Sequence, residues 1–160
     1  MQEILCLLFL NKEGALKMQL KGDLGKLEIN VLMREDSETT DYWDGNWLKS
    51  EIRIHVDGFD SVYETNLRVD DLQIFYEGLI SLQNGSAKEA EFTTMEEGLY
   101  LHCRVEAAGT MNCKGKANND TGNTLSFRLQ TDLAALDVFV NDLKTVLTLY
   151  PLIGDSDNKG

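Results

Sequence analysis

Basic residues are scarce in this chain. Fifteen Lys and Arg face 27 Asp and Glu, for a formal net charge of −12 over 160 residues. Such a field repels nucleic acid and anionic lipid and draws cationic partners. The lysines are scattered along the sequence, which also speaks against a nucleic-acid surface. Acidity has two readings: solubility alone, or a decoy surface for a basic protein such as a nuclease. Cysteine is sparse as well. Cys6, Cys103 and Cys113 make an odd count without a close pair, which indicates neither a disulfide framework nor a zinc site and suggests a reducing cytoplasm. The two histidines, His55 and His102, fall on the polar faces of expected strands with no partner at ligand spacing. Proline occurs once, at Pro151, and no linker, repeat or low-complexity segment is legible.

Long apolar runs are missing too. Nothing approaches the ~18 residues of a membrane span. The run over residues 4–10 reads as a first strand. For a signal peptide it is short, Glu3 stands where positive charge is needed, and no small-residue cleavage site follows. Catalytic motifs are equally wanting: no Gly-rich phosphate loop, nucleophile elbow or His-Glu metalloprotease helix occurs. The Asn119-Asp120-Thr121-Gly122 segment lacks the alternating oxygens of a calcium loop and reads as a turn. Among so many carboxylates some are neighbours by chance, so a glycosidase-like acid pair gains no support. No catalytic, cofactor-binding or metal-binding residue is singled out, and the chain does not read as an enzyme.

What is present is period-two patterning. Leu16, Met18 and Leu20 alternate with polar residues, as do Leu27, Ile29, Val31 and Met33, then Ile52, Ile54 and Val56. Tyr63, Thr65 and Leu67 continue as the next strand. The period then changes. Leu72, Phe75, Tyr76, Leu79 and Leu82 predict a helix over residues 70–83, with Asp70 as N-cap and Asn84-Gly85 as the stop. Gly78 inside it suggests close packing at that turn. Strands resume at 92–95 and 99–106. Ala107-Ala108-Gly109 closes a hairpin with Gly109 at the positive-φ position. That register sets Val105 opposite Met111 and Cys103 opposite Cys113, either as core thiols or as a cross-strand redox pair. After a strand with Leu125, Phe127 and Leu129, a second helix is expected over 132–150, capped by Asp132 and stopped by Pro151. The expected class is α+β: a mostly antiparallel, strongly bent sheet or partial barrel of about eight strands with two packed helices. Residues 1–154 are expected to form a single domain, with 155–160 as a flexible C-terminal tail.

One stretch stands apart: Asp41-Tyr42-Trp43-Asp44-Gly45-Asn46-Trp47-Leu48. It carries both tryptophans and an Asp-Gly turn, and the acids Glu35, Asp36 and Glu38 precede it. Trp43 and Trp47 read as plugs closing one end of the sheet, with Asp41, Asp44 or Asn46 as acceptors for their indole N–H groups. They also read as a hot spot in which rings and carboxylates meet a basic protein. Both hold if the rings point inward and the acids outward.

Those eight residues follow a strand; Leu72, Phe75, Leu79 and Leu82 follow on a helix, and a closing helix over 139–150 precedes Pro151. In this order the chain resembles the WapI family of immunity proteins over residues 27–154. The resemblance implies a small bacterial cytoplasmic protein that neutralises the toxic domain of a contact-dependent toxin. It implies inhibition by occlusion of a basic active site, possible for a nuclease toxin, with no cofactor required. The surface expected to meet the toxin comprises Glu35, Asp36, Glu38, Asp41, Tyr42 and Asp44, with Asp57 and Asp60 nearby if the strands pair as proposed; Trp43, Trp47, Gly45 and Gly109 are expected to be structural. The rival readings are a small-molecule or carbohydrate binding module that stacks ligand on the tryptophans, and an enzyme with paired carboxylates in a deep cleft.

Overall fold

The computed structural model of the chain describes residues 14–154. The expected strand over 4–10, Cys6 and the tail from 155 onward lie outside them. The described chain opens with strands β1 (Leu16–Lys21) and β2 (Lys26–Arg34), passes through a single helical turn, α1 (Tyr42–Gly45), and returns in β3 (Trp47–Val56) and β4 (Phe59–Arg68). Helix α2 (Val69–Gln83) follows without a break. The pattern then recurs: β5 (Glu89–Phe92), β6 (Leu99–Val105), β7 (Thr110–Asn118) and β8 (Thr124–Asp132) lead into α3 (Leu133–Leu149). The class is α+β and the pairing antiparallel, as expected. The strands divide between two four-stranded sheets, ordered β1-β2-β3-β4 and β5-β6-β7-β8, and neither closes into a barrel.

Four strands and a helix thus occur twice, although no repeat is visible in the sequence. The halves interlock because each helix packs on the opening strand of the other half. Gly78 of α2 lies against β5, where an added Cβ would stand 3.4 Å from the Ala90 Cβ. Asp142 of α3 reaches β1, accepting the Gln19 backbone N–H at 3.1 Å. Between the helices Phe75 and Phe139 meet edge to face at 6.2 Å. The alternating strands supply the rest of one shared core. Ile29 faces Met18 and Ile52 across the first sheet, and Cys113 faces Cys103 and Leu129 across the second. Each fully buried aliphatic side chain contributes about 1.5–3 kcal/mol relative to exposure.

The β6–β7 hairpin has the expected register, Val105 against Met111 and Cys103 against Cys113. Gly109 has φ +79°, and Ala108 before it also adopts a positive φ, +67°. The two cysteine sulfurs lie 2.8 Å apart in the core. Contact with the Cys103 sulfur and burial push the Cys113 thiol far up, so it stays protonated and is no nucleophile.

The helix starts divide the expectations. Asp132 caps α3, its Oδ1 accepting the Ala135 N–H at 2.8 Å. Asp132→Ala is expected to cost about 1 kcal/mol, read as a lower urea midpoint at unchanged slope. Asp70 does not cap α2. Strand β4 runs straight into the helix, so Arg68 takes the N-cap position and makes no side-chain cap. The Val69 N–H is satisfied instead by the Asn46 carbonyl at 2.9 Å, from the connection after α1. Asp70 is the second residue of the helix, within its first turn, where its charge complements the helix dipole.

Candidate partner-binding site

The connection between β2 and β3, residues 35–46, is short, strongly acidic and tied down from two directions. Its own chemistry makes the turn. Asp41 is extended at φ −72°, ψ 138°, and its carboxylate accepts the N–H groups of Trp43 and Asp44, both at 2.9 Å. The Gly45 N–H closes the turn on the Asp41 carbonyl at 2.8 Å. Asp36 likewise accepts the Glu38 N–H at 3.1 Å. Acidic side chains with short stems can hold N–H groups that the chain would otherwise leave unpaired.

Arg68 lies beneath the turn with none of its surface exposed. Its Nε donates to Asp70 Oδ1 at 2.8 Å, and its two terminal nitrogens donate to the carbonyls of Trp43 at 2.8 Å and Tyr42 at 3.0 Å. The same guanidinium carbon stands 5.4, 5.2 and 4.9 Å from the ring centroids of Tyr42, Trp43 and Trp47. Asp70 divides its carboxylate, its other oxygen accepting the Tyr42 hydroxyl at 2.7 Å. A buried cation is tolerable only when its charge and donors are all met. Here one carboxylate, two carbonyls and three ring faces meet them.

The C-terminal segment secures the flank. The Asn46 amide donates to the Tyr42 and Ile153 carbonyls at 2.7 and 2.9 Å, and its oxygen accepts the Ile153 N–H at 3.0 Å. Arg34 donates to the Gly45 carbonyl at 2.6 Å and also to the Pro151 carbonyl. Its guanidinium lies 5.7 Å from the Tyr150 ring centroid. Above this base Glu35, Asp36, Glu38, Asp41 and Asp44 are all exposed. The arrangement presents preorganised carboxylates.

Several expected site residues fall elsewhere. Tyr42 is not part of the surface: it is buried, with its hydroxyl spent on Asp70. Asp57 and Asp60 are not near the acidic turn. They lie at the β3–β4 hairpin, at the opposite end of β3, about 30 Å away at ~3.3 Å per residue, and Asp60 contacts His55. Asp41 and Asn46 serve backbone groups, Asp41 the N–H groups of Trp43 and Asp44 and Asn46 the carbonyls of Tyr42 and Ile153. Gly45 is buried at the turn, 3.3 Å from Ile153 if it carried a Cβ. The centre of the site, Arg68, carried no signal of its own. The available clue was indirect: three rings and a dense set of acids in one segment, with no cation assigned to them.

Asp70 and Asp71 are adjacent carboxylates; burial, then the Asp70 charge, raise the Asp71 carboxyl above its ordinary value. Asp70 is committed to Arg68 and Tyr42, and Asp71 accepts the Met95 N–H at 3.3 Å. Among the described residues no group of three His, Cys, Asp or Glu could hold a metal ion, and no helix is long and apolar enough to cross a membrane.

Residues 18–151 match the immunity protein WapI-like family. No curated protein matches the chain. Among solved structures it is similar to a chain from the crystal structures of Trypanosoma bruciei MRP1/MRP2, at 10% identity over 86% of each chain, with a TM-score of 0.46.

Proposed function

This chain belongs to the immunity protein WapI-like family, and we propose that it neutralises its toxin by docking the acidic turn over residues 35–44 onto a basic surface of the toxin domain. The observation that carries this reading is the buried Arg68 beneath exposed acids. The turn is held before any partner arrives, so little conformational entropy is lost on binding. Carboxylates so displayed stand where phosphates would stand in the groove of a nuclease, and a net charge of −12 steers the encounter. Inhibition is then occlusion without catalysis, in the cytoplasm that the toxin enters. Stacking a carbohydrate or other small ligand on the tryptophans fits less well, because the Arg68 guanidinium already lies against both rings.

The structure also refines which acids to alter. Asp41 caps α1, so its replacement would confound binding with folding. Glu35, Asp36 and Glu38 are exposed: Asp36 accepts the Glu38 N–H within the turn, and Glu35 accepts the Asn66 amide of β4 at 3.2 Å on the surface. The triple variant Glu35→Lys, Asp36→Lys, Glu38→Lys is expected to slow association with the cognate toxin domain by about tenfold or more at low salt. Its melting temperature should change by no more than about 2 °C, the shift of a typical surface substitution. Stopped-flow association at two salt concentrations makes the test. Identical rates for variant and parent at low salt would remove the turn from the interface.

A further inference from the structure

The basic residues that look scattered in the sequence are not scattered in the fold. Arg104, Lys114, Lys116 and Arg128, four of the 15 Lys and Arg, share the outer face of the second sheet with His102. Across the middle of that face His102 is directly opposite Lys114, and Lys114 is directly opposite Arg128. Like charges opposed in a β-ladder are destabilising. In a chain with so many carboxylates, the arrangement has no account in stability.

The first sheet shows the contrasting solution. Its outer face also gathers cations, but Glu28 stands among them, 3.0 Å from Lys26 and 3.7 Å from Lys17, and opposite Arg53 in the ladder. Burial would raise the Glu28 carboxyl, yet the Lys26 hydrogen bond and the charges of Lys17, Lys26 and Arg53 outweigh it and hold the group below its ordinary value. The second sheet has no such internal anion. Glu89 serves Arg104 and His102 at the edge, while Lys114, Lys116 and Arg128 form no ion pair among the described residues.

A cleft lies over these cations. The β1–β2 turn and the β3–β4 hairpin of the first half overhang the outer face of β6, β7 and β8 and enclose about 760 Å³, within the range of small-ligand sites. Its floor includes His102, Lys114 and Arg128, and its overhang carries Leu24 and Phe59, which are 76% and 61% exposed. A shallower depression of about 540 Å³ adjoins it, shares those three residues and adds Lys116. Asp23, Asp57 and Glu106 stand in the same cleft and would repel an anion extending past the floor. The site therefore suits a compact anion joined to an apolar body.

We propose that this cleft binds a small phosphorylated ligand of the nucleotide type, its phosphates on Lys114, Arg128 and His102 and its ring against Phe59 and Leu24. Arg128 can grip phosphate oxygens in pairs, and Lys114 acts as a point charge beside it. This site is on a different sheet from the acidic turn and does not depend on the toxin reading.

The test is calorimetric titration of the full chain with inorganic pyrophosphate, with ADP, and with a single-stranded oligonucleotide. Saturable binding of ADP and pyrophosphate is expected. Lys114→Gln with Arg128→Gln should weaken both by about tenfold or more, while Lys17→Gln with Lys26→Gln leaves both unchanged. Phe59→Ala should weaken ADP by about threefold and pyrophosphate not at all. Thermal melts establish that each variant is folded; if the paired Gln variant melts early, Lys114→Arg with Arg128→Lys replaces it and should retain pyrophosphate binding. Three outcomes overturn the proposal: no saturable binding of either probe up to millimolar concentration, affinity indifferent to Lys114 and Arg128, or tighter binding of the oligonucleotide than of ADP.

Discussion

Arg68→Ala is expected to lower folding stability by about 3–5 kcal/mol, the cost of breaking a buried charge pair. That corresponds to roughly 10 °C or more in melting temperature for a chain of this size. The substitution deprives every group that Arg68 serves at once. The Tyr42 and Trp43 carbonyls lose their donors, Asp70 loses its cation, and three rings lose the plane against which they stand. Arg68→Lys keeps the charge, but its single ammonium cannot reproduce a fork aimed at three acceptors, and about 2 kcal/mol should still be lost. Arg104→Ala is the control: half its side chain is exposed and its partners are surface glutamates, so a change within about 0.5 kcal/mol is expected. Tryptophan emission adds a local readout. In native Arg68→Ala it should shift to the red as Trp43 and Trp47 become wetter. A stability change below about 1 kcal/mol with unmoved emission would show that the rings hold the turn without the arginine.

The second large effect concerns how the halves join. Gly22, in the β1–β2 turn, packs on β8, and Gly98, before β6, packs on β4. They occupy corresponding junctions of the repeat, but different atoms oppose them. A Cβ on Gly98 would lie 2.1 Å from Thr65 Oγ1, and one on Gly22 would lie 2.6 Å from the Gln130 carbonyl oxygen. Gly98→Ala and Gly22→Ala are each expected to cost about 2–3 kcal/mol through overpacking. The remedies should differ. Thr65→Ala removes the offending hydroxyl, leaving a 3.0 Å contact with its Cβ, and should recover about 1–2 kcal/mol in a double-mutant cycle. Leu129→Ala, the corresponding change beside Gly22, should recover little. The backbone oxygen remains, fixed by the Asp23 N–H at 2.9 Å. Strong coupling between Gly22 and Leu129 would mean that this junction is closed by side chains.

Much of the fold was legible because one face of each strand is buried. Leu16, Met18 and Leu20 must face inward together, and that fixes their strand's register against Leu27, Ile29 and Val31. The Cys103–Cys113 pairing followed from a hairpin whose glycine occupies a position of positive φ. The division into two sheets was not legible. It depends on β4 passing directly into α2, where Asp70 offered a plausible cap and the Asn46 carbonyl took its place. Arg68 was hidden for a related reason. It follows inward-facing Leu67, so strand alternation sends it outward, and only the returning turn over residues 41–46 covers it. Long-range closure of this kind leaves no local mark. The same holds for the C-terminal strap, where Asn46 and Ile153 meet across the chain. Asp57 and Asp60 were displaced by simple length, since β3 is ten residues long and separates its two ends.

Contact between the acidic turn and the toxin is open to direct test by hydrogen exchange on the chain alone and in complex with its toxin domain. Residues 35–46 should gain protection in the complex, while the outer face of β7 and β8 exchanges as before. Protection confined to other surfaces, with the turn exchanging equally in both states, would contradict it.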